Sequence, residues 1–274
     1  IVFDCTMFGS KVLRFVPAAP IAAAATAAVS SVSLCSDDHV PALDYGWGHH
    51  GPLAAYDARA VRRGYQVYKE VCATCHSVQR VHFRNLVEYG AWSENEVKAI
   101  AEEFDYIDGP NDEGEMFERP GKLTDPLPSP YANDQAGRAA NGGALPPDLS
   151  LMVKSRHAGV DYIFALLTGY VDPPEGKEML SGLHYNPYFA GAAIAMPPPL
   201  MDGQVEFLDK TPATVSQMAK DVSVFLAWAS EPEHDDRKKA GMKWIFALGI
   251  CAVASGFYKR FRFASLKTRQ ISYL

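Results

Sequence analysis

Residues 72–76 read Cys-Ala-Thr-Cys-His, and this C-x-x-C-H motif constrains the chain more than any other feature. Two cysteines three positions apart lie on one side of a helical turn, so their sulfur atoms can form thioethers to two substituents on one porphyrin edge. The next residue, His76, can then ligate the iron. The motif is typical of a covalently attached c-type haem, and it predicts one haem c bound through Cys72 and Cys75.

Two other kinds of site also use a C-x-x-C pair. A zinc site needs a second such pair, and the other cysteines, Cys5, Cys35 and Cys251, are scattered along the chain. A thioredoxin-like redox pair requires a compact βαβ unit, and no such pattern surrounds residues 72–76. A thiol–disulfide exchanger that uses these two cysteines remains the rival hypothesis at this point.

The segment before the motif has the pattern of an amphipathic helix. Asp57 is suited to be its N-cap, and Gly64 indicates the close approach of another backbone. Four side chains recur at helical spacing along one face: Val61, Tyr65, Tyr68 and Cys72. Further along the chain, residues 161–168 and 215–229 also predict amphipathic helices, whereas residues 108–147 predict a long loop rich in proline and glycine. Alternating strand patterns are scarce.

Charge is distributed unevenly along the chain. The net charge of −6 argues against nucleic acid as a partner. An acidic run, with Lys98 as its single base, consists of Glu94, Glu96, Glu102, Glu103, Asp105, Asp108, Asp112, Glu113, Glu115 and Glu118. The C-terminal end is basic, with no acidic residue after Asp236. The two regions are therefore expected to face different surroundings.

An uncharged run near the C-terminus predicts a membrane-spanning helix. Residues 244–258 alone would span about 22 Å as a helix, but snorkelling of Lys243 extends the usable stretch back to Ala240 and to about 28 Å. That length approaches the roughly 30 Å of a hydrocarbon core, and Trp244 and Tyr258 stand at its two ends as interface anchors. A buried core helix is the alternative. The basic residues that follow predict that the tail stays on the side of insertion, opposite the globular part.

The N-terminal region carries a second uncharged stretch at residues 15–36, rich in alanine. Basic residues precede it, and Asp37 and Asp38 follow it, which is the profile of a sorting signal. Retention as a second membrane segment is the alternative. The chain is thus divided into residues 1–40, a targeting-like or membrane segment; residues 41–236, a haem-binding domain; residues 237–258, an anchor; and residues 259–274, a basic tail.

A haem that transfers electrons needs a sixth iron ligand, and methionine suits a carrier of high potential. Met196 is the best-placed candidate, because Pro197, Pro198 and Pro199 follow it and restrict the backbone. Met201 is the second candidate.

Several motifs together resemble the cytochrome c1 family, the haem subunit of the mitochondrial cytochrome bc1 complex. They occur in the family's order at residues 62–68, 109–116, 119–123, 138–150, 186–189, 211–214 and 231–235. The resemblance implies Cys72 and Cys75 as thioether positions, with His76 as proximal and Met196 as distal iron ligand. It also implies a pocket lined by Asn141, Pro146 and Tyr162, and a haem propionate paired with Arg156.

The resemblance further implies a mainly α, class I cytochrome c-like haem domain with long loop insertions and a C-terminal transmembrane helix. The function would be one-electron transfer from the Rieske iron–sulfur protein to soluble cytochrome c, within a dimeric quinol–cytochrome-c reductase of the mitochondrial inner membrane. Cytochrome b and a small acidic hinge-type subunit would be further partners. The haem domain would face the intermembrane space and the tail the matrix. A membrane-tethered cytochrome that feeds a terminal oxidase is the alternative.

Overall fold

The computed structural model describes residues 40–270, and this part of the chain is mainly helical. The helices are Ala58–Glu70 (α1), Phe83–Tyr89 (α2), Glu94–Glu102 (α3), Asp134–Ala140 (α4), Val160–Thr168 (α5), Val215–Ser230 (α6) and His234–Lys267 (α7). Asp105–Asp108 (β1) pairs antiparallel with Phe117–Pro120 (β2), and His184–Tyr185 (β3) pairs antiparallel with Ala193–Ile194 (β4). The prediction of a mainly α chain is confirmed. The uncharged stretch at residues 15–36 lies outside the described residues.

Helix α1 begins where the sequence predicts and ends just before the haem motif. The Asp57 carboxylate accepts a hydrogen bond from Arg59 N at 3.0 Å, which caps the first turn. The helix stops at Glu70, and the tighter 3-10 turn Cys72–Thr74 follows it. Cys72 therefore does not extend the helix as the spacing predicts, because a hydrogen bond from Cys75 N to Cys72 O at 3.1 Å closes a three-residue turn.

Helices α1 and α6 form the centre of the core, and Gly64 is where they meet. A Cβ atom at position 64 would lie 2.1 Å from the carbonyl oxygen of Asp221 and 2.6 Å from Cβ of Phe225. The predicted close approach of another backbone is thus confirmed. Around the crossing pack the buried rings of Tyr65, Tyr68, Phe225 and Trp228.

A buried ion pair joins the same two helices. Arg63 on α1 donates to both carboxylate oxygens of Asp221 on α6, at 2.7 and 3.1 Å, and Asp221 is fully buried. Asp209 accepts from the same guanidinium at 2.8 Å, and Gln217 donates to Asp221 at 2.8 Å. Hydrogen bonds to Asp221, which outweigh the effect of burial, raise the pKa of Arg63. The pair is bidentate and fully hydrogen-bonded, which is the arrangement that a buried charge requires.

The segment predicted as a long loop, residues 108–147, is more structured than the prediction states. It contains β2 and α4, and it wraps around α2 through backbone hydrogen bonds from Arg84 N to Leu123 O at 2.8 Å and from Leu127 N to Val81 O at 2.9 Å. Arg119 holds the β1–β2 hairpin against this wrap by donating to Asp125 at 2.7 and 3.0 Å and by pairing with Asp108. Strands of four residues are too short to produce a clear alternating pattern.

The predicted amphipathic helices are present as α5 and α6, and Thr214 caps α6 by accepting from Gln217 N at 3.3 Å. Helix α7 contains the predicted span, residues 240–258, and is long and apolar enough to cross a membrane. Trp244 and Tyr258 are both exposed on it. The alternative of a buried core helix is wrong, because none of the apolar window of α7 is buried in the described chain.

Candidate haem-attachment site

The two cysteines of the motif lie on one short turn after α1. His76 N donates to Cys72 O at 2.8 Å, so the cysteines and the histidine share one rigid turn. Burial, and to a smaller degree the neighbouring Cys75, raise the pKa of Cys72 to about 12. A thiol–disulfide exchanger needs a lowered thiol pKa. The raised pKa of Cys72 is the opposite of that requirement, so Cys72 is not suited to be the attacking thiol of an exchanger.

The imidazole of His76 is oriented by a backbone carbonyl. Its Nδ1 lies 2.8 Å from the carbonyl oxygen of Pro147. A carbonyl can only accept, so Nδ1 carries the proton and Nε2 keeps its lone pair. Burial lowers the pKa of His76, against the opposing effect of the Pro147 hydrogen bond, and this favours the neutral ring. A neutral imidazole whose second nitrogen is fixed in this way is suited to ligate a metal.

Pro147 is held beside His76 by the residue that follows it. The Asp148 carboxylate accepts hydrogen bonds from Ser77 Oγ and from Gln79 N, both at 2.9 Å. Burial raises the pKa of Asp148, but these hydrogen bonds and those from Ser150 bring it below its ordinary value. An ionised Asp148 therefore binds the segment after the motif to the segment that orients His76.

Pro147 and Asp148 are the functional residues that sequence reasoning missed. Both stand directly after Pro146, inside the motif at residues 138–150. Pro146 itself is half-buried beside them. The Asn141 side chain ends α4 and donates to Tyr131 Oη at 2.9 Å and to Gly137 O at 2.8 Å. Both hydrogen bonds that the Asn141 amide donates therefore stay within residues 131–141.

Arg156 and Tyr162 lie together. The Arg156 guanidinium is 5.7 Å from the centre of the Tyr162 ring, and Arg156 is exposed while Tyr162 is half-buried. Within residues 40–270 Arg156 forms no salt bridge with a carboxylate of the chain. A stacked guanidinium with free donors fits an external carboxylate, such as a propionate group.

Met196 is half-buried, and its carbonyl oxygen accepts from Tyr170 Oη at 3.1 Å. The buried Asn186 ties the same loop to α5 by donating to Leu166 O at 2.8 Å. Met201 is 66% exposed, which disfavours it as a ligand in a closed pocket. In the described part of the chain, no hydrogen bond or salt bridge directly joins the Met196 loop to the turn that carries His76.

Comparisons with known proteins agree over most of the chain. The model of the Cytochrome C1 family matches residues 47–266. Cytochrome c1 2, heme protein, mitochondrial, of Arabidopsis thaliana is 56% identical over 83% of this chain and 74% of its own length. The corresponding Saccharomyces cerevisiae protein is 55% identical over 85% of this chain and 74% of its own length. The cytochrome b-c1 complex catalytic subunit, mitochondrial, of Candida albicans is 56% identical over 86% and 81%.

The family model covers well over half of the chain. It includes the cysteine turn, Pro147 and Asp148, the Met196 loop and most of α7. These are the same segments on which the sequence motifs fall. The chain belongs to the cytochrome c1 family.

Proposed function

We propose that this chain is the electron carrier of a mitochondrial quinol–cytochrome-c reductase. It would hold one haem c covalently through Cys72 and Cys75, with His76 and Met196 as axial ligands. The observation that carries the proposal is the 2.8 Å contact between His76 Nδ1 and Pro147 O, because it leaves Nε2 available on the turn that bears both cysteines. The names of the relatives, heme proteins and a cytochrome b-c1 complex subunit, support it.

The haem, when bound, supplies a one-electron couple. The chain holds and orients it. Pro147 fixes the tautomer of His76, and Met196 offers a neutral sulfur on a proline-restricted loop. Arg156 would neutralise a propionate, while Asn141, Pro146 and Tyr162 would line the pocket. The quinol-oxidising activity would belong to the complex, and the chain alone would transfer electrons.

The electron would arrive from the Rieske iron–sulfur protein and leave to soluble cytochrome c, in a dimeric complex with cytochrome b and a small acidic hinge-type subunit. The division of labour along the chain would follow the predicted boundaries. Residues 41–236 would form the haem domain, residues 237–258 the anchor in the inner membrane and residues 259–274 the basic tail. The family membership favours this assembly over a tethered cytochrome that feeds a terminal oxidase.

The structure distinguishes the acids of the run at residues 94–118 by their partners. Several are paired within the chain: Glu94 with Lys98, Glu96 with Arg62, Glu103 with Lys69 and Asp108 with Arg119. The other six are exposed without such a pair in the described chain: Glu102, Asp105, Asp112, Glu113, Glu115 and Glu118. Three of these, Asp112, Glu113 and Glu115, lie at the tip of the β1–β2 hairpin. Asn111 shapes this tip by accepting from Glu113 N at 3.0 Å and Glu115 N at 2.9 Å. The hairpin tip therefore gathers three of the six unpaired acids of the run.

We expect electron delivery to soluble cytochrome c to slow steeply as salt rises from about 20 to 300 mM, because the screening length is already only about 10 Å at 0.1 M. Complementary electrostatic potentials on two proteins mainly increase the rate at which they associate. Replacing Asp112, Glu113 and Glu115 together by their amides should flatten this salt dependence in stopped-flow measurements. The matched control neutralises the paired Glu94 and Lys98 and should leave the slope unchanged. If the rate of the triple variant kept the same salt dependence, the docking site would have to lie away from the hairpin and nearer to the haem edge.

We expect the haem domain in the intermembrane space and the tail in the matrix. Covalent attachment of haem belongs to the oxidising side, and the basic tail obeys the positive-inside preference. Protease added to intact mitoplasts should reach loops at residues 108–147 wherever partner subunits leave them exposed, and should spare an epitope at Leu274. Loss of that epitope with the membrane intact would contradict the orientation. If residues 15–36 also span, an epitope at Ile1 should be protected together with Leu274.

A further inference from the structure

A loop of the haem domain, residues 49–54, is clamped to the base of α7. Lys238 donates from its ammonium group to three backbone carbonyls, those of His49 and Gly51 at 2.7 Å and that of Ala54 at 2.9 Å. All three ammonium protons are thereby used, and Lys238 is half-buried under the loop. The ammonium group of Lys238 is therefore surrounded by three carbonyl oxygens of the loop.

The loop and the residues after it also contact the first turn of α7. One turn before Lys238, Asp235 accepts from Tyr56 N at 3.4 Å, and the rings of Tyr56 and His234 have centroids 4.5 Å apart. Tyr56 is therefore at the first turn of α7. The His49 ring is there too, with its centroid 6.3 Å from that of His234, and Lys238 binds the loop from the next turn. The buried His49 ring, 4.7 Å from Tyr56, supports the loop from behind.

The tip of the loop is apolar and exposed. A hydrogen bond from Ala54 N to Gly51 O at 3.1 Å closes a turn that has Pro52 and Leu53 as its two central residues. Pro52 is exposed, and Leu53 is 75% exposed. Leu53 thus presents most of its apolar surface from a turn whose backbone is held in place by Lys238.

The level of Lys238 relative to the bilayer follows from the length of helix that comes after it. Lys238 precedes Ala240, where the apolar stretch starts, by about 3 Å of helix, and precedes Trp244 by about 9 Å. Tryptophan marks the level of the lipid headgroups. The turn that Lys238 holds is therefore anchored within about two helical turns of the boundary between water and bilayer, where an exposed leucine is stabilised by lipid rather than by water.

We propose that residues 51–54 form a second membrane contact of the chain, in which Pro52 and Leu53 enter the headgroup region of the phospholipid bilayer. Lys238 sets the depth by holding the turn on α7. The inference rests on the proposed spanning of the membrane by α7. With two points of contact, the helix and the loop, the haem domain is held at one tilt relative to the membrane surface.

Spin labels in the haem-loaded full chain, reconstituted in phosphatidylcholine nanodiscs, test the proposal. Cys5, Cys35 and Cys251 are first replaced by serine, and one label is placed at Leu53→Cys. Two reference labels are Val253→Cys, 75% exposed within the span, and Leu208→Cys, 83% exposed in the haem domain. The measured quantity is the accessibility of each label to oxygen, which enters lipid, relative to its accessibility to a water-soluble nickel chelate. We expect this ratio to be several-fold higher for the label at position 53 than for the label at position 208.

Adjacent lysines provide the matched pair of variants. Lys238→Met should release the turn and give label 53 the accessibility of label 208. Lys239→Met, which removes only a pair with Asp236, should leave label 53 unchanged. The proposal would be overturned if, in the chain with Lys238 intact, the label at position 53 were as accessible to nickel as the label at position 208. It would also be overturned if the label at position 53 were shielded from both reagents, because protein rather than lipid would then cover it. A nickel-accessible label 253 would instead overturn the spanning of α7 and the loop contact with it.

Discussion

Replacing Met196 by leucine is expected to leave the haem covalently bound and to lower its reduction potential by about 0.1 V or more. A thioether stabilises the reduced iron, whereas leucine offers no ligand, and axial ligands shift haem potentials over a range of about 0.8 V. Leucine has a similar volume and keeps the half-buried position filled. Redox titration followed by visible spectroscopy measures the effect directly.

Met201→Leu is the control for this variant. Met201 is five residues further along the same loop and is 66% exposed, so its replacement should leave the potential within experimental error of the parent protein. The reverse pattern, with a large shift for Met201→Leu and none for Met196→Leu, would exchange the two assignments. Potentials equal to that of the parent protein in both variants would exclude both Met196 and Met201 as iron ligands.

The second large effect is expected for Gly64→Ala. The added methyl group would lie 2.1 Å from the backbone oxygen of Asp221, which belongs to the interior of α6 and cannot yield as a flexible side chain could. Overpacking in a core destabilises by about 1–3 kcal/mol and occasionally by more, and a contact with backbone belongs to the upper end. Against a total stability of about 5–15 kcal/mol, the thermal midpoint followed by circular dichroism should fall by many degrees.

Gly241→Ala is the matched control, since Gly241 is also a helical glycine and a Cβ there would meet nothing within 4 Å. Helix propensity alone would then act, and it favours alanine by about 1 kcal/mol. A Gly64→Ala variant with the parent midpoint would show that α1 and α6 do not pack at the distance described. The consequence reaches the site, because α1 leads directly into the turn with the two cysteines.

Local patterns were enough to predict α1 and the long apolar helix α7. The cap of α1 is a contact between Asp57 and Arg59, which are only two positions apart. The predicted span in α7 depends only on a contiguous apolar run. The 3-10 turn at Cys72 escaped prediction because helix and turn share the same spacing of cysteines. The β1–β2 hairpin escaped it because its four-residue strands are stabilised by Arg119 and by the wrap around α2 more than by a hydrophobic face.

The parts of the site that sequence patterns could not show are contacts between distant backbone groups. The carbonyl of Pro147 orients a histidine 71 positions earlier, and no side-chain property of proline reveals which of two adjacent prolines does so. In the sequence, Lys238 cannot be distinguished from the other basic residues around it. In the structure it donates to backbone carbonyls 184 to 189 positions away. The resemblance to a family supplied the ligands and pocket residues by position, and it left these supporting groups out.

The most direct test of the central claim is extraction of the purified native chain with acidified acetone, followed by the alkaline pyridine haemochrome spectrum of the protein fraction. Non-covalent haem passes into the organic phase, whereas haem bound by two thioethers stays with the polypeptide. We predict one haem per chain retained in the protein fraction, and loss of that retention when Cys72 and Cys75 are both replaced by alanine. A native chain that gives up all its haem to the solvent, or that carries none, would contradict the account.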